Sequence, residues 1–258
     1  MKTSALFVLT LLLAAATGFS SLGDQVTVTY LGHSCFTLQV GDGSVVMIDP
    51  YATYVPYPAL PQPADVVLMT HAHVDHCPGS YGETNRYTGD PIEVFPWDNQ
   101  GRIREGNWRL TDDLLVRFVE ASHVTRTGGG EGYVSLFSFE LGGLRFAHLG
   151  DLGRILTGAQ ITDLGDVDVL FIPVGGAYTI DAAEALTVIA QLPTVRIVFP
   201  MHYFVEDITP WPAISPLSDF TLVADALYDV IDQASSQIVI DSDSLPEVVE
   251  VWILEYLE

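Results

Sequence analysis

Positive charge is scarce in this chain. Lysine occurs only as Lys2, so the ten Lys and Arg residues include nine arginines, against 33 Asp and Glu. The formal net charge is −23 at pH 7 and the sequence pI is about 4.3. A surface this acidic repels phosphate backbones and anionic membrane faces. The composition therefore argues against nucleic acid as a partner.

Cysteine is also rare, with only Cys35 and Cys77. Together they allow one disulfide, which an oxidising compartment would favour. Because a disulfide demands a narrow range of Cα separations, we expect two buried thiols, with the disulfide as the alternative. No cysteine follows the amino-terminal apolar segment closely, so a lipid anchor is not indicated.

No amino-terminal apolar run reaches the ~20 residues that cross a bilayer comfortably. The apolar run there is about 16 residues, Ser4 to Phe19; it follows Lys2 and ends in small residues. This pattern is typical of an export signal. We predict a signal peptide at residues 1–20 and a periplasmic or extracellular location. An uncleaved signal anchor is the alternative, and no other membrane attachment is expected.

Residues 21–258 are long enough for one domain with a substantial core. Hydrophobic residues make up 48% of the chain, and the mean hydropathy is +0.31. Short apolar runs predict strands at Val26–Leu31, Cys35–Val40, Val45–Ile48, Val66–Thr70, Leu114–Glu120, Val134–Leu141, Leu144–Leu149, Val169–Ile172, Val195–Phe199, Ile238–Ile240 and Val248–Leu257. Helical periodicity predicts helices at Leu156–Leu164, Asp181–Gln191 and Ser218–Gln233. The pattern alone predicts a mixed α/β domain.

Histidine is concentrated in one place. Three of the seven histidines fall within six positions, in the run His-Ala-His-Val-Asp-His that starts at His71. Alternate residues of an extended loop point the same way, so His71 and His73 can converge on one ion while Asp75 and His76 face a second. So many ligand groups are costly to bring together unless a cation holds them. The alternative is a polar loop that happens to be rich in histidine.

Further ligand candidates follow apolar strands, where a rigid scaffold can aim a side chain. They are His123, Asp151 and His202. A two-metal hydrolytic site needs about four ligands per ion, a position for water and a carboxylate that can bridge. These residues supply that complement.

In this order, the motifs resemble the metallo-β-lactamase superfamily of metal-dependent hydrolases. More narrowly, four segments resemble the branch that includes the L-ascorbate-6-phosphate lactonases: Leu31–Ser34, Ile48–Pro50, His148–Gly153 and Ile172–Gly176. The likeness covers Val26 to about Tyr256. It implies an αββα sandwich with the site at the seam between two sheets.

The resemblance also implies a role for each candidate. One metal ion is held by His71, His73 and His123. The other is held by Asp75, His76 and His202, and Asp151 bridges both. Asp49 is implied as an outer acceptor that orients a ligand histidine, with a strand-terminating Asp-Pro turn as the alternative. His33, in a Gly-His-Ser turn, is expected to line the pocket, whereas His148 is expected to point away.

The implied cofactors are two divalent ions, zinc first, with manganese or iron as alternatives. A hydroxide that bridges the ions would be the nucleophile, and Asp75 and Asp151 are the catalytic carboxylates, with Asp75 orienting the water. The expected reaction is hydrolysis of a small ester, lactone or phosphodiester. A non-catalytic exported metal-binding or scaffold protein of the same fold is the alternative. The oligomeric state is not predicted.

Two departures bear on the substrate. Arg154 stands where many members of the branch have histidine, and the segment after His123 lacks their Arg-Gly-Asn. An exported enzyme would also rarely meet a phosphorylated intracellular sugar acid. We therefore expect a different small-molecule substrate, neutral or weakly anionic. Its predicted contacts are Arg126 and Arg154 for an oxyanion, and Tyr178 and Tyr203 as pocket walls. For both arginines, ordinary surface charge is the alternative.

Overall fold

The computed structural model describes residues 25–53, 55–58, 63–78, 87–125 and 130–257. Two mixed sheets face each other. The first has the order β13-β1-β2-β3-β4-β5, formed by β1 Gln25–Gly32, β2 Cys35–Val40, β3 Val45–Ile48, β4 Val66–Leu68, β5 Ile92–Val94 and β13 Gln237–Asp241. The second has the order β12-β14-β11-β10-β9-β8-β7-β6, formed by β6 Gly106–Arg109, β7 Leu115–Thr125, β8 Gly130–Leu141, β9 Leu144–His148, β10 Val169–Pro173, β11 Ile197–Met201, β12 Asp229–Asp232 and β14 Glu250–Ile253.

The main core lies between the sheets. Phe36 of β2 contacts Phe171 of β10, with ring centroids 4.4 Å apart, and Phe171 stacks on Phe199 of β11 at 5.3 Å. Rings packed in this way contribute beyond the apolar area they bury. The α/β sandwich predicted from the sequence is therefore confirmed.

Three described helices follow the strand β9: α1 Gly158–Leu164, α2 Ala182–Gln191 and α3 Leu217–Ala224. Two begin at capping boxes, which satisfy backbone N–H groups at a helix start. Asp181 accepts from the Glu184 amide, and Thr157 does the same for Gln160. These two helices start within two residues of the predicted positions. α1 packs against β7 and β8, and α2 packs against α3.

The third helix was predicted too long. A helix over Ser218–Gln233 is wrong, because α3 ends at Ala224 and Asp229–Asp232 forms the edge strand β12. Val230 and Ile231 lie beside Val251 and Trp252 of β14, where β-branched side chains suit a sheet. Pairing distant in sequence overrides the local helical pattern here. The short strands β5 and β6 were not predicted.

Strand direction gathers one set of residues at one end of the sandwich. β3 and β4 are parallel, and so are β9, β10 and β11. In open α/β sheets, ligands bind beyond the carboxyl ends of such strands. His33, Asp49, His71, His123, Asp151 and His202 all lie at or just beyond the carboxyl ends of strands. We call this side of the molecule the carboxyl end of the sandwich.

Asp168 secures the opposite end. Its carboxylate accepts hydrogen bonds from the Arg145 amide at 2.9 Å and from its Nε at 2.8 Å. Its carbonyl accepts from the amides of Arg196 and Ile197. One residue thus joins the beginnings of β9, β10 and β11.

Asp168→Asn is expected to lower the free energy of unfolding by about 1–2 kcal/mol at pH 7, because charge-assisted hydrogen bonds are lost. Burial raises the pKa of Asp168, but the hydrogen bonds from Arg145 lower it by a larger amount. The pKa of Asp168 in the folded protein is therefore below its ordinary value. The stability that Asp168 contributes is therefore fully present above its pKa in the unfolded chain. It is lost as the pH falls through its pKa in the folded protein. Urea unfolding at several pH values measures it.

Asp166→Asn is the matched control, since Asp166 pairs with the same arginine at 2.9 Å but its side chain is 67% exposed. An exposed pair contributes little, so this variant should stay within about 0.5 kcal/mol of the wild type. Equal losses from the two variants would refute the role assigned to Asp168.

Two other expectations concern the cysteines and the membrane. Cys35 and Cys77 are both buried and are not joined by a disulfide, as predicted. Within the described part of the chain, no helix has the length and apolarity to cross a bilayer. The predicted signal peptide, residues 1–20, lies outside the described residues.

Candidate metal centre

The histidine-rich run forms a tight turn after β4. The amides of His76 and Cys77 both donate to the carbonyl of His73, at 3.0 and 2.7 Å. The chain therefore reverses at His73, and His76 lies one turn beyond it. This local turn separates the early histidines of the run from its later ligands.

The first cluster joins His71, His73 and His123 with Asp151. His73 Nδ1 lies 3.0 Å from His71 Nε2 and 3.1 Å from His123 Nε2. Asp151 Oδ2 lies 3.5 and 3.6 Å from the same two Nε2 atoms. Tetrahedral ligands about 2.1 Å from a zinc ion stand roughly 3.4 Å apart. The spacing therefore suits one metal ion.

The second cluster contains His33, Asp75, His76 and His202. Asp75 Oδ2 lies 3.1 Å from His33 Nε2 and 3.6 Å from His76 Nε2. The ring of His33 also packs on that of His202, with centroids 4.3 Å apart. The sequence predicted that His33 lines the pocket, but the structure brings it into the ligand cluster itself.

Asp151 stands between the clusters. Its Oδ2 faces the first, and its Oδ1 lies 3.0 Å from His76 Nε2 and 3.3 Å from His202 Nε2. One carboxylate thus offers one oxygen to each group. This is the arrangement that a bridging ligand requires.

Several buried atoms in these clusters lack hydrogen-bond partners in the described chain. They include His76 Nε2 and Asp151 Oδ1, which lie 3.0 Å apart without the geometry of a hydrogen bond. Orphaned buried polar atoms cost free energy, and each needs an explanation. A divalent cation coordinated by both atoms would remove the cost. The donor set of imidazoles and carboxylates therefore fits a metal site.

The electrostatics of the first cluster keep two of its imidazoles, those of His71 and His123, neutral. Burial and the neighbouring His76 lower the pKa of His71 well below its ordinary value, and burial lowers the pKa of His123. Both imidazoles are therefore neutral near pH 7. Metal ligation requires neutral imidazole, so no proton has to leave these two residues.

The second cluster contains the opposite case. Burial alone lowers the pKa of His76, but the carboxylates of Asp151, Asp75 and Asp49 raise it overall, well above its ordinary value. Burial raises the pKa of Asp75, but His76 and the hydrogen bond from His33 lower it below its ordinary value. Without metal, His76 therefore carries a proton that a cation has to displace.

Asp49 orients His76 from behind. Its Oδ2 lies 2.8 Å from His76 Nδ1, and its two oxygens accept from the amide and hydroxyl of Thr70, both at 2.7 Å. A carboxylate that holds one ring nitrogen directs the other toward a metal. This contact is the one expected of Asp49. Its role in orienting a metal-bound histidine remains a prediction.

Backbone strain is concentrated at the site. His33, Asp49 and His202 adopt left-handed conformations, with φ of 55°, 48° and 53°. Such residues cost on the order of 1–3 kcal/mol each and persist where the surroundings fix them. Gly150 also has positive φ, 47°, and a Cβ there would lie 2.8 Å from Thr70 side-chain atoms. These sharp turns aim the side chains that follow the strands.

Three of the four predicted substrate contacts lie in the described part of the chain, and they do not come together. Arg126 lies outside the described residues. Arg154 is exposed and Tyr178 half-buried, and neither lines the cavity beside the first cluster. Tyr203 is buried beside Tyr30, with ring centroids 6.4 Å apart, rather than forming a wall of that cavity. The structure gives Arg154, Tyr178 and Tyr203 no support as substrate contacts, and the role of Arg126 stays a prediction.

The cavity beside the first cluster has a volume of about 220 Å³. Its walls include Trp97, Ile103 and Tyr133, none of which was predicted as a site residue. Aromatic residues around a turn carry no distinctive pattern in the sequence. Only the positions of the β5–β6 connection and of β8 beside the histidines reveal them.

His33→Asn is expected to weaken metal binding at the second cluster by about 10–100-fold, the range typical of residues that support a metal site. Asparagine tolerates positive φ better than most residues, so the change removes the imidazole with little added strain. Calorimetric titration of metal-free protein measures this affinity. Wild-type affinity there would contradict the role of His33.

Comparison with known proteins accords with this geometry. Residues 27–202 match the family model of the beta-lactamase superfamily domain. A UPF0173 metal-dependent hydrolase of Pyrococcus abyssi is 32% identical over 209 residues, which cover 74% of this chain and 88% of that protein. One from Desulforamulus reducens is 29% identical over 203 residues, covering 72% and 86%.

Among solved structures, this chain is similar to a Thermotoga maritima protein described as a zinc-dependent hydrolase of the metallo-β-lactamase superfamily. The identity is 28% and the TM-score 0.66, covering 89% of this chain and 98% of that one. None of these three relatives is named a lactonase, so the narrower likeness remains a prediction. The chain belongs to the metallo-β-lactamase superfamily, and it is a metal-dependent hydrolase.

Proposed function

We propose that this protein is an exported hydrolase with a two-ion centre that cleaves a small, neutral or weakly anionic ester, lactone or phosphodiester. The observation that carries the proposal is Asp151, whose two oxygens face two separate ligand clusters. A carboxylate in this position supports two ions rather than one. Zinc is the first candidate, with manganese or iron as alternatives, because imidazole and carboxylate ligands suit all three.

Divalent ions held by these residues would lower the pKa of a bound water from about 15.7 toward 7 and would polarise the oxygen of the scissile bond. The residues of the chain hold and orient this centre. His71, His73 and His123 hold one side of the centre, and His76 and His202 the other. Asp49 keeps the His76 ring in place, as its 2.8 Å contact supports.

Asp75 is the candidate to orient the attacking water and receive its proton. Its carboxylate lies at the second cluster with Oδ2 3.1 Å from His33 Nε2. Its pKa is lowered by His76 and His33 despite burial, so it is ionised and able to accept a hydrogen bond at neutral pH. His33 can stabilise Asp75 in that orientation.

The size and charge of the substrate follow from the cavity. A volume of about 220 Å³ admits only a small group. None of the described residues that line it is Asp, Glu, Lys or Arg. The net charge of −23 further disfavours polyanions.

The test begins with elemental analysis of protein purified without added metal. We expect up to two transition-metal ions per chain. A screen of small esters, lactones, amides and phosphodiesters then identifies the bond that is cleaved. Absence of any transition metal, even after incubation with zinc, manganese or iron, would refute the proposal. Two bound ions with no hydrolysis would favour the scaffold function instead.

Export is a separate part of the proposal, supported by Lys2 and the apolar run Ser4–Phe19. We expect protein recovered from the periplasm or medium to begin between about Ala16 and Ser21. Intact-mass measurement on protein from the producing cell tests this. A soluble cytoplasmic form that retains residues 1–20 would contradict export.

A further inference from the structure

The connection between β5 and β6 forms an ordered hairpin beside the metal centre. Trp97 and Ile103 form an antiparallel bridge, and the Asp98 amide donates to the carbonyl of Arg102 at 2.9 Å. The Asp98 carboxylate accepts from the Arg102 amide at 3.0 Å. We call residues 96–104 the wall hairpin. Its internal bonds fix the direction of Trp97 and Ile103.

Glu120 of β7 attaches the wall hairpin to the second sheet. Its carboxylate accepts from Arg102 Nε at 2.9 Å and Nη2 at 2.7 Å, and also from the Ile103 amide at 2.9 Å. Bidentate pairing with arginine is both strong and directional. The hairpin is therefore held to the strand that carries His123.

Arg102 also fixes the facing wall. Its guanidinium lies 4.4 Å from the ring centroid of Tyr133 on β8, at a distance that favours cation–π attraction. Tyr133 lies opposite Ser122 on β7, one position from the pair His123 and Gly132. Trp97 and Ile103 thus form one side of the cavity and Tyr133 another, beside the first cluster.

The charge at this cavity is already balanced. The guanidinium of Arg102 is paired with Glu120, and the cavity lining within the described residues has no acid or base other than the cluster histidines. Away from the cluster histidines, along Trp97, Ile103 and Tyr133, a carboxylate or ammonium group would lose water without gaining a partner. An apolar group would gain by burial against the rings.

We propose that the cavity between the wall hairpin and Tyr133 is an apolar subsite. It accepts an uncharged aromatic or branched aliphatic substituent of the substrate, attached directly to the scissile group. Trp97 and Tyr133 are the residues that set this specificity. The inference rests on the proposed hydrolytic function and adds the chemical class of the substrate.

The kinetic test compares a methyl with a benzyl substituent on the same scissile group, for example methyl acetate and methyl phenylacetate. The wild type should prefer the benzyl compound in kcat/KM. Trp97→Ala and Tyr133→Leu should each lower the benzyl-to-methyl ratio about 10-fold or more, as expected for lost apolar contacts. Trp252→Ala is the control, because Trp252 lies on β14, where it contacts Phe199.

A binding test needs no hydrolysis. Benzyl alcohol, an uncharged fragment, should bind the purified protein and shift its tryptophan fluorescence, and Trp97→Ala should lose most of that response. The side chain of Tyr133 is 39% exposed, so Tyr133→Leu should fold even if Trp97→Ala does not. The binding of benzyl alcohol to Tyr133→Leu can be followed by NMR.

The two tests separate the two proposals. Benzyl alcohol binding that depends on Trp97 or Tyr133, in a protein that hydrolyses nothing, would support the subsite and refute the hydrolytic proposal. Hydrolysis with an unchanged benzyl-to-methyl ratio in both variants would overturn the subsite and leave the proposed function standing.

Discussion

Asp151→Asn is expected to lower kcat/KM by more than about 100-fold, beyond the 10–100-fold loss typical of residues that only support a metal ligand. The amide keeps the shape of the carboxylate but offers one neutral oxygen, so it cannot serve both clusters. His76 Nε2 and His202 Nε2, now 3.0 and 3.3 Å from Oδ1, would lose their charged partner. Steady-state kinetics and elemental analysis measure the effect.

The fold should survive this change, because the core between the sheets does not depend on Asp151. Circular dichroism checks that the chain is folded, and Asp166→Asn at the far end of the sandwich serves as the control for loss of one acidic charge. Unchanged turnover and unchanged metal content in Asp151→Asn would show that this residue does not bridge two ions.

Removal of metal is the second large effect that we expect. A chelator should abolish hydrolysis and lower the melting temperature by about 10 °C or more. Each site saturated at 100 times its Kd contributes about 2.7 kcal/mol. In a chain of this size, 1 kcal/mol corresponds to roughly 2–4 °C. Calorimetry before and after chelation measures the change.

Readdition of zinc or manganese should restore both hydrolysis and the melting temperature. The chelator should lower the melting temperature of Asp151→Asn by less than it lowers that of the wild type. A wild-type melting temperature that does not respond to chelation would mean that the ligand clusters are not occupied by an exchangeable ion. Full activity after chelation would contradict the dependence on metal.

The candidate ligands could be proposed from the sequence because several of them lie at or just beyond the end of a strand. A ligand just beyond a strand end inherits its position from the sheet, so His71, Asp151 and His202 are visible as polar residues after apolar runs. The order of these motifs is also what carries the resemblance to a known family. Strands with continuous apolar runs, such as Val45–Ile48, were predicted to the residue.

The sequence predicted His33 at the pocket but not its place in the second cluster, and it did not predict Trp97 or Tyr133. These features depend on contacts distant along the chain. His33 lies 42 residues before Asp75, and only the pairing of β1 within the first sheet brings it to the second cluster. Trp97 and Tyr133 converge because Arg102 pairs with Glu120. Neither contact leaves a periodic signal. The same holds for Asp229–Asp232, whose strand exists only because β14 lies beside it.

Asp168 and the hydrogen bonds it accepts from Arg145, Arg196 and Ile197, which together we call the Asp168 clamp, lie at the opposite end of the parallel strands from the metal centre. Mutations near one end can therefore accumulate without disturbing the other, since distant sites contribute nearly additively. The wall hairpin and its neighbours can diverge toward new substrates while the clamp maintains the strand arrangement. Such separation gives the scaffold a capacity to evolve, with binding loops that vary on a stable and largely unchanged frame.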